Sequence, residues 1–91
     1  MKPYENKEVI DYSSVNLYAE LDNYNYYDVK YAYTKTKSIG TLVACKATSV
    51  KDAALRAPCW VTAGSDYDPA VVIVLSVYPT PENNLPKEVK L

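Results

Sequence analysis

Residues Ala70–Tyr78 read AVVIVLSVY, the only long uninterrupted apolar run in the chain. Four of the nine are Val and one is Ile, side chains that are stiff at χ1 and suit a pleated surface. Asp68 and Pro69 precede the run as turn residues, and Pro79 ends it because proline cannot donate to a ladder. A run without polar alternation reads as a strand covered on both faces, so this one is expected at the centre of a sheet. It is too short to cross a bilayer as a helix, which takes roughly 20 apolar residues.

Upstream of the run, Thr62–Pro69 (TAGSDYDP) has the composition of a loop, and Cys59–Val61 a short extended segment. The one credible helix comes before these. Ser49 can cap it, and Asp52, three residues on, makes an acidic variant of a capping box and offsets the N-terminal dipole. Val50, Ala53, Ala54 and Ala57 form an apolar stripe at helical spacing, Arg56 suits the C-terminal end, and Pro58 is expected to stop it. Thr41–Ala47 (TLVACKA) and the alternating segment Val29–Tyr33 read as two strands of a hairpin joined by Lys35–Gly40. Asp22–Tyr27 (DNYNYY) reads as a loop carrying exposed tyrosines. Val15, Leu17, Ala19 and Leu21 alternate with polar neighbours and predict a further half-buried strand. Residues 1–13 are expected to form an irregular arm that adds at most a short strand.

Downstream, PTPENNLPKEVKL holds three of the six prolines and reads as an extended tail in which Val89 and Leu91 could dock an edge. The expected organisation is a single domain over residues 1–78 with a Pro-rich C-terminal tail over 79–91. Its fold class is α+β, an antiparallel sheet of about four to five strands with one short helix packed on one face.

A chain of 91 residues with 48% hydrophobic and 23% charged content can bury a modest core, and wholesale disorder is excluded. The aromatic inventory is skewed: ten Tyr, one Trp and no Phe. Tyrosine combines an apolar ring with a polar tip, which serves strand propensity and binding surfaces alike. Two cysteines, Cys45 and Cys59, are too few for a disulfide framework, and MKPYENKEV lacks an apolar signal core. A reducing cytoplasm with two buried thiols is therefore expected, a Cys45–Cys59 bridge being the alternative.

Catalytic and metal chemistry finds little to work with. The chain has no histidine, which removes the Ser-His and Cys-His nucleophile pairs. Cys45 and Cys59 are too far apart for a zinc knuckle, and no phosphate-loop, dinucleotide or EF-hand spacing occurs. Asp66 and Asp68 flank Tyr67 in the manner of a solvated turn. No cofactor, no metal and no catalytic residue is expected.

Charge is uneven along the chain. Residues 1–28 hold Glu5, Glu8, Asp11, Glu20, Asp22 and Asp28 against Lys2 and Lys7. Residues 29–57 hold Lys30, Lys35, Lys37, Lys46, Lys51 and Arg56 against Asp52. Tyrosines interleaved with the first of these lysines mark the expected partner-binding surface: Tyr24, Tyr26, Tyr27, Tyr31 and Tyr33 with Lys30, Lys35 and Lys37. Such a surface suits a protein partner, with Tyr for contact area and Lys for steering. Alternatively, the Lys/Tyr hairpin could take single-stranded nucleic acid, or the exposed Tyr and the tail could drive self-association. The net charge of −1 weighs against a dedicated polyanion binder.

Residues 45–57, CKATSVKDAALRA, lead from a strand ending in A-T-S into a short helix with Ala on its inner face, from which the chain returns to the sheet. This segment resembles a recurrent element of small phage-encoded α+β proteins, including some type I anti-CRISPR proteins. The matching positions are structural, so the resemblance carries over no functional residue. It implies a stoichiometric inhibitor of a host defence complex, with a host or phage protein complex as partner and the host cytoplasm as location.

Overall fold

The computed structural model describes residues 12–86; the expectations placed on 1–11 and 87–91 fall outside them. The described chain is α+β, with one helix against an antiparallel sheet of three strands in the order β2-β1-β3. β1 is Asn25–Tyr33, β2 is Ser38–Ala47 and β3 is Val72–Pro79. The described residues form three strands, fewer than the four to five expected of the chain. Val15–Leu21 alternates in sequence but forms no strand. A 3₁₀ turn at Tyr12–Ser14 leads into further turns, Val15 N–H donating to the Tyr12 carbonyl and Ala19 N–H to that of Asn16. The Asn16 side chain accepts from Tyr18 N–H at 3.0 Å, a local bond that competes with any ladder.

The central strand is β1, not the apolar run. The expected loop at Asp22–Tyr27 gives way at Asn25, where strand-favouring tyrosines and pairing on both sides outweigh the turn preference of Asn. Its pleat sends Tyr27, Val29, Tyr31 and Tyr33 to one face and Tyr26, Asp28, Lys30 and Ala32 to the other. The apolar run becomes the edge strand β3, with Val72 and Val74 buried and Ile73 and Leu75 exposed. Only one face of the sheet carries the helix, so half of that run lacks the cover its composition predicts.

Both register breaks lie in the edge strands. One extra residue of β2 sits opposite Asp28, between the pairs Tyr27↔Cys45 and Val29↔Leu42. The other, in β3, falls between Lys30↔Ser76 and Tyr31↔Val74. Bulges of this kind twist an edge away from regular pairing and protect it from edge-to-edge association. At the first, Ala44 takes a left-handed φ of 58°. The buried Asp28 carboxylate holds it there, its Oδ1 accepting from Ala44 N–H at 3.1 Å and from the Thr80 hydroxyl at 2.7 Å.

The helix α1 spans Val50–Thr62. Ser49 caps it as expected, its hydroxyl accepting from Asp52 N–H at 3.0 Å. Asp52 accepts from Thr48 N–H and from Arg56 Nε, each at 2.9 Å. Pro58 does not stop it. The ring is fully buried, and Ala54, Pro58 and Thr62 continue the inward stripe at i, i+4 and i+8. That burial offsets a penalty of about 3 kcal/mol for proline inside a helix. Cys59–Val61, expected to be extended, is therefore the helix's last turn.

The core is Tyr27, Val29, Cys45, Ala47, Ala53, Ala57 and Val74, with Leu42, Ala54 and Val77 against it. Its helical members are all alanines, so the helix lies close on the sheet. Tyr31 crosses β2 at its partner Gly40; its hydroxyl would lie 2.7 Å from a Cβ built there. Of the expected tail, Pro79 closes β3, Thr80 is buried against Asp28, and Glu82–Asn84 makes a 3₁₀ turn.

Candidate interaction surface

The sheet face away from α1 is built from the other half of each strand. Ile39, Ala32 and Ile73 stand side by side in register across all three strands, with Leu75 following at the β3 bulge. Ile39 is 65% exposed and Ile73 45%. Toward the other end come Lys30, flanked by Thr41 and Ser76, then Tyr78 beside Asp28, and Tyr26 beside Lys46. Tyr24 packs edge-to-face on Tyr26 at 5.7 Å, and Lys46 Nζ sits 4.4 Å from the Tyr24 ring centre. Asp28 is the only acid among the strand residues of this face, and it is buried. The exposed character is apolar and cationic.

The eight residues expected to form one surface are divided. Tyr24, Tyr26 and Lys30 belong to the open face or its margin. Tyr27 is in the core, where no partner reaches it. Tyr31 and Tyr33 are half-buried on the helix side; Tyr31 lies over Gly40, and Tyr33 packs on Tyr67 at 6.1 Å. Lys37 is in the hairpin turn with φ 55°, and Lys35 Nζ lies 5.5 Å from the Tyr67 ring centre. Lys30 thus points away from Tyr31 and Tyr33, so the hairpin does not set these lysine and tyrosine side chains next to each other.

Reading the sequence missed Ile73, Leu75 and Tyr78, which the apolar-run argument assigned to an interior, Ile39, which it placed in the Lys35–Gly40 connection, and Lys46. It also missed Tyr18 and Trp60. The signal for Trp60 was available, because it follows Arg56 at i+4 once the helix is carried through Pro58.

Tyr18 and Trp60 meet edge-to-face at 5.9 Å on one side of a groove of about 690 Å³. Residues 17–22 form one bank of this groove, Leu42–Lys46 its floor, and Tyr24, Tyr26 and Pro86 the far end. Arg56 reaches across beneath the bank, its guanidinium donating to the Asn16 carbonyl at 3.1 Å as well as to Asp52.

Both thiols are free and buried. Burial pushes the Cys45 thiol up to about 11 against the opposing charge of Arg56, and burial also raises Cys59. Neither has the depressed pKa of a nucleophilic cysteine. Asp68 caps the 3₁₀ turn Pro69–Val71 by accepting from Ala70 N–H at 2.8 Å, a structural use of that carboxylate. Among the described residues no group of three or more Cys, Asp or Glu is placed to hold a metal, and no helix is long and apolar enough to cross a membrane. No protein-family model matches the chain, and no curated protein or solved structure is significantly similar to it.

Proposed function

We propose that this chain is a small non-catalytic protein-binding module that acts by stoichiometric contact through the open face of its sheet. The observation that carries this is the uncovered half of β3 with its neighbours. Ile73, Leu75 and Ile39 form an apolar patch that no described element covers, and such patches mark interaction sites. The partner surface should be apolar at its centre and acidic at its margin, to meet Lys30 and Lys46. A second copy of the chain fits poorly, because it would set like charges against each other and bury them unpaired. The resemblance over residues 45–57 extends this reading to a phage or mobile-element inhibitor of a host defence complex.

The test uses Ile73→Thr and Lys30→Glu, exposed changes that leave the core intact. Partners captured by the wild-type chain from host lysate are purified and titrated calorimetrically against all three proteins. A 1:1 complex weakened at least roughly tenfold by either change supports the reading. Equal affinity for all three refutes this surface. Self-association seen by light scattering, or retention of oligothymidylate at low salt and its loss at high salt, would replace the reading with the corresponding alternative.

A further inference from the structure

We infer that the groove between residues 17–22 and β2 is a second binding site, one that takes an extended proline-containing peptide with a basic residue beside its prolines. It shares Tyr24, Tyr26 and Lys46 with the margin of the open face but lies on the outer side of β2, away from Ile39 and Ile73.

Three observations lead to this ligand. The first is the wall chemistry. The edge-to-face pairs Tyr18–Trp60 and Tyr24–Tyr26 both line the groove. Aromatic-lined grooves accept polyproline II ligands, whose rings fit between flat faces and whose preformed helix loses little entropy on binding.

The second is the floor. An added β-strand would need a regular row of outward N–H and C=O groups along β2. The bulge breaks that row at Ala44, whose N–H is turned to Asp28. A polyproline II segment makes no ladder, so the interruption costs it nothing. A proline of the chain itself already forms part of the groove wall, at its far end. This residue, Pro86, follows Leu85, whose backbone (φ −68°, ψ 146°) has polyproline II geometry.

The third is charge. Of the two cations at the groove, Arg56 is offset by its ion pair with Asp52, and Lys46, which rests on the Tyr24 ring, keeps its charge. The acids Glu20 and Asp22 line the bank and form no ion pair among the described residues. Lys46 offsets only one of these two acids, so the groove keeps a negative balance and the complementary ligand is basic.

Trp60, the only tryptophan, lies in the wall and reports occupancy directly. The probe is the synthetic peptide Ac-Arg-Pro-Leu-Pro-Pro-Leu-Pro-amide, titrated into the full chain while Trp60 fluorescence and amide chemical shifts are followed. Saturable binding is expected, with shifts at residues 17–22 and 42–46. Replacing every proline of the peptide by alanine should abolish it. Tyr18→Ala, a change at a residue 83% exposed and therefore harmless to folding, should weaken it at least roughly fivefold. Glu20→Gln with Asp22→Asn should weaken it roughly 3- to 10-fold, and a Glu-for-Arg peptide should bind worst of the proline peptides. Ile73→Thr should leave it unchanged, which separates this site from the open face. The inference is overturned by an absence of saturable change, by equal binding of the alanine peptide, by indifference to Tyr18→Ala and the acid pair, or by shifts confined to the open face.

Discussion

The two faces of the sheet are made from the same three strands, yet they follow different rules. Toward the helix, side chains are close-packed: Tyr27, Val29, Cys45, Ala47 and Val74 form one cluster with Ala53 and Ala57. Away from it, Ile39, Ile73 and Leu75 are as apolar as the core but remain exposed, with Lys30 among them. One face is close-packed under the helix, and the other leaves apolar side chains open beside a lysine. Hydrophobicity alone therefore does not identify an interior in a sheet with one cover.

One residue of β1 and one of β3, on opposite faces of the sheet, give the strongest test of this contrast. Val29 is fully buried, and Val29→Ala should cost about 2–3 kcal/mol from lost transfer energy plus a cavity. Ile73→Thr removes a comparable amount of apolar surface from the open face and should change stability by less than about 0.5 kcal/mol. Urea unfolding of both variants measures the pair. Similar losses at the two sites would mean that the open face is covered in solution, and the contrast between the faces would collapse.

The same contrast explains what was legible beforehand. The α+β class, the β1–β2 hairpin and the Ser49 cap could be read because each rests on a local signal: alternation, a turn and a hydroxyl before an apolar stripe. The place of β3 in the sheet could not be read. A strand covered on both faces and an edge strand with one face left open can have the same composition. The false strand at Val15–Leu21 shows the converse, since alternation was present but Asn16 closed its own turn. Pro58 misled because its burial depends on β3 and the turn before it, which are remote in sequence. Of the expected surface, the tyrosines were found but their faces were not. Counting by twos along β1 separates Tyr26 from Tyr27, yet which set faces the helix depends on where the helix lands.

The seam between β2 and α1 offers a smaller effect with a pH signature. Ser49→Ala should cost about 1 kcal/mol by removing the cap. Partial burial works to raise the Asp52 pKa, but the Thr48 N–H and Arg56 outweigh it and hold the carboxyl below its ordinary value. A depressed folded-state pKa means that the unfolded chain takes up the proton first. The contribution is thus complete above the unfolded value of about 3.9 and is lost as pH falls through the lower folded value. In Asp52→Asn this acid-limb component should vanish while the rest of the pH profile is kept. The thiol acts on the opposite limb. The contribution of Cys45, whose folded pKa is raised to about 11, is complete below its unfolded pKa and is lost as pH rises through the folded value. Thermal melts across pH for the wild type, Asp52→Asn and Cys45→Ala separate the two limbs, and an unchanged acid limb in Asp52→Asn would remove Asp52 from the account.

A small effect is expected at Ala44, whose N–H donates to the buried Asp28 carboxylate. A non-glycine residue at φ 58° bears a steric penalty of about 1–2 kcal/mol that glycine avoids. Glycine gives back part of this by having more freedom when unfolded, roughly 0.5–1 kcal/mol. Ala44→Gly should therefore stabilise the chain slightly, by about 0.5 kcal/mol, with the N–H still donated to Asp28. The sign carries the information. A gain means that Asp28 and Thr80 hold the bulge against the local preference of alanine, so this corner of the open face is imposed by hydrogen bonds made across strands. A loss would mean that the Ala44 methyl group contributes packing worth more than the strain, and the corner would then belong with the helix-covered face.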